Sequence, residues 1–540
     1  MNSASSDAAI DDLATLRRKL AERDAEHQAA LAERDERIDS QQRTLVYRQA
    51  KIDTLTAEVA RLRRWQFGRR SEQLDPGQRA LFEDTLAEDI AAVEAQLEAL
   101  TAPATTPAPP RRPSRREPLP AHLARIEHRH EPASCTCAVC GGALVKIGED
   151  VSERLDCEPV RFFVQRDIYP KYACRPCQRL VAEPVAPAII ERGRPGAGLL
   201  AHIAVSKWVD HLPLYRQSAI YTRSGVALSR GTLAEWAGRI GVALAPLAEA
   251  MQAQLLQQPV LHADETPVAM LQPGAGKTKQ AYLFTYAGHG WPSAASAGCA
   301  GAARSADPQA PAITVFDFCT SRSGEHARRF LGDWHGALMV DDFAGYKAGF
   351  AQGITELACL AHIRRKFFEL HERQASTLTG PPLASIAQLY RIEAEARGLD
   401  PPDRQALRQT HAQPILDAWW AWIQTVRPTV AGGSGIEKAL DYTIRRWPAL
   451  LRYLDDGRYP IDNNPVENAI RPIALGRRNW LFAGSPSAGQ RAAAIMSLLA
   501  TAKQNGREPY AWLKDVLTRL PTHPNSRIHD LLPHSWQPIA

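Results

Sequence analysis

Residues Pro259–Pro267 read PVLHADETP, and how this stretch is taken decides the fold. The run Pro259–Ala263 has strand composition and breaks directly into Asp264-Glu265, so it reads as a strand with a carboxylate at its end. Two more strand candidates follow at Ala281–Ala287 (AYLFTYA) and Pro311–Phe318 (PAITVFDF), and the small-residue segment Gly288–Gln309 between them reads as a surface insertion. A helix at Gly324–Leu331 leads into Gly336–Val340 (GALMV), which ends at Asp341-Asp342. Glu356–Leu360 (ELACL) is a fifth strand that runs into the basic helix Ala361–Glu372, AHIRRKFFELHE.

Three strands of antiparallel type, a helix, a strand, a very short helix and another strand follow the element order of a ribonuclease-H-like fold. In that fold an Asp of the first strand, an Asp ending the fourth and an acid on a late helix meet at one point. Asp264 ends the first strand here and Asp341 the fourth. The late helix is supplied by Ile461–Ser485, IDNNPVENAIRPIALGRRNWLFAGS. Asn464 reads as its N-cap, Pro465 takes the first helical position, and Glu467 falls in the first turn. Val466, Ile470 and Ile473 are spaced to face a core, and Pro472 is expected to end or kink the helix. Glu467 has two readings: the acid of a capping box with Asn464 that also pairs with Arg471, or the third carboxylate of a set. Such a set suits two Mg2+ ions about 4 Å apart, with Mn2+ able to substitute, in phosphodiester chemistry.

A chain of 540 residues is too long for one core, so several units are expected. The net charge of +6 names no partner by itself, but Phe82–Leu100 is acidic whereas Arg111–His130 carries six Arg against two Glu. No charged segment followed by an apolar run opens the chain, and no run approaches the roughly 18 apolar residues that span a bilayer. A cytoplasmic protein without a membrane partner is expected. Asp11–Arg64 lacks glycine and proline and repeats Leu31, Ile38, Leu45, Ile52 and Val59 every seven residues, joined late by Leu55 and Leu62. Arg34, Gln41 and Arg48 interrupt the second seam. The segment reads as a long helix, forming a parallel coiled-coil dimer or packing on its own domain. An acidic helix at Pro76–Leu100 and a Pro-rich linker ending in a basic run (Thr101–Pro120) follow; the run touches DNA phosphates or is simply solvated.

Nine cysteines in a reducing compartment point to metal rather than disulfides. Cys137-x2-Cys140-Gly-Gly and Cys174-x2-Cys177 are two knuckles, each able to hold one ion from a tight turn, and four thiolates close a structural Zn2+ site. A strand-rich insert at Val151–Tyr172 lies between them; Cys135 and Cys157 are spares, and Cys135 is an alternative to Cys137. Gly196–Met251 reads as helical. Within it Leu214–Tyr221, a break at Ser224-Gly225 and a helix capped by Ser229 that runs to about Ile240 fit a helix-turn-helix or a plain helical hairpin.

Taken together these motifs make the chain resemble, over nearly its whole length, a transposase of the bacterial insertion-sequence sixty-six family, a branch of the DDE transposases. The resemblance is carried by FGRRSE (Phe67–Glu72), the two knuckles, SKWVDHLPLYRQ (Ser206–Gln217), HADETPV (His262–Val268), DDFAGY (Asp341–Tyr346), AHIRRKF (Ala361–Phe367) and Ile461–Ser485. It implies cleavage at transposon ends and transfer of a 3′-hydroxyl strand to target DNA, with Asp264, Asp341 and Glu467 as the metal-binding triad. In the family pattern Gly and Tyr follow the second Asp; Asp341 matches, with Asp342 and Phe343 in those places. Asp341 and Glu467 are 126 residues apart, which implies an inserted helical domain over 372–460. His362, Arg364, Arg365 and Lys366, with Arg471, Arg477 and Arg478, are placed to neutralise phosphates, and Trp480 to stack on a base or to pack in the core. His262 reads as a strand-packing residue. Partners implied are transposon-end and target DNA, a second copy in a homodimer or higher synaptic oligomer, and accessory proteins of the same element, on the nucleoid. The alternative is a catalytically inactive DNA-binding regulator of a mobile element.

The expected organisation is multidomain α+β: a coiled-coil helix (1–72), an acidic helix and basic linker (73–120) and a four-cysteine zinc-ribbon-like module (121–190). A helical region (191–255) precedes a ribonuclease-H-like core in two parts (256–371 and 461–520), split by the helical insertion (372–460) and followed by a tail (521–540).

Overall fold

The computed structural model describes residues 40–62, 76–101, 119–121, 123–131, 134–158, 161–174, 177–190, 193, 195–272, 277–289, 311–373, 377–480 and 482–538, with isolated positions between 28 and 38. The features expected at 11–27, at Phe67–Glu72 and across 102–118 lie outside these residues. The described residues fall into two compact units, one within 1–68 and 93–111 and one within 69–92 and 112–540.

In the smaller unit residues 40–62 form helix α1. Leu55, Val59 and Leu62 are buried, whereas Ile38 and Leu45, earlier on the same seven-residue stripe, are 40% and 63% exposed. Among the described residues the stripe is therefore covered towards its C-terminal end. Helix α2 (Pro76–Thr101) starts in the larger unit. There Glu88 pairs with Lys207 and Asp89 with Arg491, so the acidic character of this helix serves intramolecular ion pairs.

The cysteine module is a sheet in which β2 (Leu144–Glu158) and β3 (Arg161–Cys174) form a long antiparallel hairpin; β1 (Arg125–Arg129) and β4 (Arg179–Ala182) flank β3. The hairpin extends beyond the insert expected at Val151–Tyr172 and reaches the knuckles at both ends. Leu155, Cys157 and Val164, at its far end, are buried in the main core, so Cys157 is a packing residue.

Helices α3 (Ala197–Trp208), α4 (Leu214–Arg223) and α5 (Arg230–Leu255) follow. Gly225, at φ +80°, makes the turn after α4, and Ser229 caps α5 by accepting from the Thr232 amide. Helix α5 continues past Ile240 to Leu255, because Leu244, Leu247, Met251 and Leu255 keep the helical spacing and are buried.

The second sheet is β5 (Val260–Met270), β6 (Lys279–His289), β7 (Ala312–Cys319), β8 (Ala337–Val340) and β9 (Thr355–Ala358), in the order β7-β6-β5-β8-β9. Pairing is antiparallel among β7, β6 and β5, and parallel among β5, β8 and β9. Helix α6 (Gly324–Leu331) connects β7 to β8, and a 3-10 turn plus α7 (Lys347–Ala351) connects β8 to β9. The remaining helices are α8 (Leu360–Arg373), α9 (Gly380–Glu395), α10 (Pro401–Leu407), α11 (Gln413–Val426), α12 (Gly435–Leu451), α13 (Asn464–Trp480), α14 (Pro486–Gln504) and α15 (Pro509–Arg519). Helix α14 covers the β7 edge: Ser497 and Thr501 hydroxyls accept from the Phe316 and Thr314 amides at 2.8 and 3.1 Å, which satisfies an edge that would otherwise invite pairing.

One core packs the sheet, the cysteine hairpin, α3–α5, α14 and α15, and includes Leu531, Leu532 and Trp536 near the C-terminus. A second core is built from α8, α9, α11 and α12 around Phe367, Leu389, Trp419, Leu440 and Trp447. Residues between α8 and α13 thus have an interior of their own.

One local expectation fails and another is narrowed. Asp264 does not end its strand: β5 runs on to Met270 because residues 264–270 stay paired with β6, while the β8 ladder stops at His262. Pro472 does not end α13, which continues to Trp480. The carbonyl that Pro472 leaves without a donor belongs to Asn468, an exposed residue, where water can replace the lost bond.

Candidate active site

Register brings the first two acids together. Val260, Leu261 and His262 pair with Ala337, Leu338 and Met339, and the same offset carried two residues further sets Asp264 level with Asp341. Both lie just past the parallel ladder, on the side-chain face shared by His262 and Met339. Helix α13 packs against β5 and β6 and delivers Glu467 from its first turn. Burial first, then the carboxylates of Glu265, Asp341 and Glu467, push the Asp264 carboxyl up to about 7. All three sequence-predicted acids therefore share one electrostatic environment.

Their neighbours separate Asp341 from Asp342. Asp342 faces Lys347 at 3.3 Å, Arg446 at 3.5 Å and Arg445 at 3.8 Å. Asp341 accepts the Phe343 amide at 2.8 Å and acts on Asp264, Glu265 and His362 through its charge. Asp342 is committed to an ion-pair network; Asp341 faces the acids.

Glu467 is not the acid of a capping box. Asn464 is already helical, and its amide donates to Asp462 Oδ1 at 3.1 Å. The Glu467 carboxylate faces His362 Nδ1 at 3.6 Å and Arg365 at 3.4 Å. Its Oε1 and the His362 Nδ1 are both buried atoms without a hydrogen-bond partner. Burial holds the His362 imidazole below its ordinary range.

Residues that sequence reasoning missed hold this arrangement. Asn463 is fully buried; its amide nitrogen donates to Ala263 O at 2.9 Å, its Oδ1 meets His262 Nδ1 at 3.1 Å, and its backbone N–H donates to Cys359 Sγ at 3.1 Å. One side chain thus ties the strand of Asp264 to the helix start of Glu467. Arg446 of α12 is 2% exposed, pairs with Glu356, and donates to Leu357 O at 3.2 Å and Val340 O at 3.4 Å, the residue before Asp341. Glu265 is neutralised by Arg322 at 2.7 Å and accepts from Tyr346 at 3.4 Å. Burial nonetheless raises its carboxyl. The repeated Asn of Asp462-Asn463-Asn464 was a signal for the first of these; nothing in sequence marks Arg446 among its neighbours.

The proposed phosphate-binding residues divide. Arg364, Arg365, Lys366, Arg471 and Arg478 are exposed, with Arg364 over the Phe368 ring and Lys366 over Tyr442. Arg477 is spent on Pro267 O at 2.6 Å. Trp480 packs on the main core and lines a cavity with Trp208, His211 and Met496.

The cysteine cluster is a separate site. Cys137 and Cys177 sulfurs lie 3.2 Å apart, Cys140 and Cys174 3.3 Å, and all four within 4.8 Å of one another. Tetrahedral zinc with bonds of about 2.3 Å brings sulfurs to nearly this separation, so the donor set fits the ion. Gly141, at φ +67°, closes the first knuckle by donating to Cys137 O. Amides of Val139 and Cys140, the largest causes, lower the Cys137 thiol to about 6. Cys135 is exposed and outside the cluster.

The chain thus combines a four-cysteine, zinc-type cluster with a mixed α+β unit that gathers carboxylates. Family matches narrow this. Residues 192–491 match the family described as Transposase IS66 family, 497–534 the IS66 C-terminal element, 134–178 the zinc-finger binding domain of transposase IS66, and 54–127 Transposase C of IS166 homeodomain. The chain belongs to the IS66 transposase family. Relatives include two uncharacterized proteins of Sinorhizobium fredii, y4qI and y4jD, each 37% identical. The first match covers 91% of this chain and 90% of the relative, and the second 78% and 81%. No helix among the described residues is long and apolar enough to cross a membrane.

Proposed function

We propose that this protein cleaves DNA at the ends of a mobile element and transfers the freed 3′-hydroxyl strand to target DNA, from a ribonuclease-H-like core. The observation that carries the reading is that sheet register sets Asp264 level with Asp341 and α13 carries Glu467 against the same strand; burial first, and then the charges of Glu265, Asp341 and Glu467, push Asp264 up to about 7. Like-charged carboxylates held together by the fold are what a divalent cation relieves, and Mg2+ or Mn2+ favours such oxygens. Asp264, Asp341 and Glu467 would hold two ions, which when bound supply Lewis-acid stabilisation of the attacking and leaving oxygens. The sheet order β7-β6-β5-β8-β9, with its antiparallel and parallel halves, supports the core assignment.

The chain's own residues do the rest. Arg446 and Asn463 fix the strand ends and helix start that carry the acids. Arg364, Arg365 and Lys366 of α8, with Arg471 and Arg478 of α13, present exposed cations beside Glu467 for phosphate contact. The zinc finger and the helices before the core bind end DNA, and the exposed stripe through Ile38 and Leu45 pairs with a second copy as a coiled coil. The test uses the inverted repeats flanking the gene as substrate. Mg2+- or Mn2+-dependent nicking and joining is expected, lost in Asp264→Asn with end binding retained. Binding without chemistry under all metal conditions would leave the DNA-binding regulator instead.

A further inference from the structure

Beside the acids lies a second donor set, in which three unlike side chains converge. Cys359, between β9 and α8, and His362, one turn later, place a thiol and an imidazole three residues apart. Glu467 completes the group, with one donor atom from each residue lying within 4.8 Å of the others. Two of those residues carry buried polar atoms that have no hydrogen-bond partner, His362 Nδ1 and Glu467 Oε1, 3.6 Å apart. Cys359 Sγ accepts two backbone amides, from His362 and from Asn463 at 3.1 Å. That is the pattern at Cys137 of the zinc knuckle, whose sulfur also accepts two amides, from Val139 and Cys140. Amides aimed at a sulfur favour it as a thiolate ligand, but burial outweighs them at Cys359 and pushes its thiol up to about 12, whereas Cys137 lies at about 6, so an ion at the second set must displace the Cys359 proton.

We propose that Cys359, His362 and Glu467 form a second, three-ligand site for a borderline-soft divalent cation such as Zn2+, and that filling it withdraws Glu467 from the acid cluster. One thiolate, one neutral imidazole and one carboxylate form a zinc-type donor set that leaves a fourth position open, whereas Mg2+ takes oxygen donors and does not bind thiol. The Cys359 sulfur, His362 Nδ1 and Glu467 Oε1 are themselves buried, while the His362 and Glu467 side chains are 19% and 26% exposed, so an ion enters past the exposed parts of those two side chains. Arg365 engages the other carboxylate oxygen, Oε2, and leaves Oε1 to the metal. Binding displaces a proton from Cys359 to solvent, with no change in oxidation state. Zinc at this site removes one acid from the Mg2+ set, so zinc excess stops strand cleavage while Mg2+ is still present. This regulatory half rests on the proposed function; the binding half does not.

The experiment counts zinc in the full-length chain after dialysis against zinc and removal of loosely held metal. The wild type is expected to hold two zinc ions per chain, Cys359→Ser one, and Cys174→Ser one. Cobalt substitution gives a second readout: the spectrum lost in Cys359→Ser is that of an ion with a single thiolate ligand, distinct from the four-thiolate spectrum lost in Cys174→Ser. One zinc per chain in the wild type, or a second zinc retained by Cys359→Ser and by His362→Gln, overturns the site. With binding established, zinc is added to Mg2+-driven cleavage, each variant normalised to its own zinc-free rate. Inhibition in wild type that is lost in Cys359→Ser is expected, and equal inhibition of both overturns the regulatory half. If no cleavage is seen with any metal, the transposase reading fails while the zinc count still decides the site.

Discussion

Cys137 and Cys140 sit on one tight turn and Cys174 and Cys177 on another, and a single hairpin, β2–β3, brings the turns together. Asp264 and Asp341 lie on neighbouring strands set level by sheet register, and Glu467 comes from helix α13, docked on β5 after a long run of inserted helices. The first cluster needs its hairpin and an ion. The second needs the sheet, a buried Asn and a buried Arg that arrives from the inserted helices. Side chains far from the acids should therefore govern the carboxylate cluster and leave the cysteine cluster untouched.

The largest effect is expected at the cysteines. Cys174→Ser removes a zinc whose binding energy is the module's folding energy, about 10 kcal/mol or more. Hydrogen exchange should show β2–β3 losing protection near the knuckles, while the main core melts nearly as before. Next is Asp264→Asn, expected to reduce metal-dependent strand cleavage by on the order of a thousandfold or more without loss of zinc or of end binding, as read by a cleavage assay and a gel shift. Arg446→Met leaves half-buried Glu356 with Lys347 as its remaining cation and takes a partner from Asp342, and should cost about 3–5 kcal/mol in denaturant unfolding and lower cleavage, with zinc content unchanged.

A pH effect follows from His534, which reaches Gln254 of α5. Burial, then the neighbouring His529, lowers the His534 imidazole to about 4. Its folded value lies below the unfolded one of about 6.5, so the unfolded chain binds more protons between them. Core stability should be complete above about pH 6.5 and fall by up to about 3 kcal/mol as pH drops towards 4. His534→Gln should flatten that part of the profile in pH-dependent thermal melts. The smallest stability effect is expected from Asn463→Leu, about 1–3 kcal/mol for the partners left unpaired. Its cleavage rate should fall well beyond what the lost stability explains, because the tie between Ala263 and the start of α13 is gone.

How much was legible in the sequence follows the same division. The knuckles were readable because ligand spacing and the following glycine are local facts, and the five strands because runs of strand composition are local too. The three acids were readable as candidates from element order, which the register of β5 and β8 then set level. What stayed hidden depends on pairing over long separations. The strand of Asp264 outlasts its apolar run because β6 continues beside it, and α13 outlasts Pro472 because its freed carbonyl lies on an exposed turn. Asn464 drew the capping role by position alone, although the neighbouring Asp462 performs it and Asn463 turns inward. Cys359 and His362 have ligand spacing in plain view, but the third ligand arrives from a helix a hundred residues later.

The placement of the acids is tested most directly by metal-dependent backbone cleavage, which needs no DNA substrate. Fe2+ replaces Mg2+, ascorbate and peroxide generate radicals at the bound ion, and the fragments are sized. Cuts are expected beside Asp264 on β5, after β8 at Asp341 and at the start of α13 near Glu467, all suppressed by excess Mg2+ and absent in Asp264→Asn. Cuts confined to the cysteine hairpin, or cuts near Glu467 with none at Asp264 and Asp341, would contradict the account.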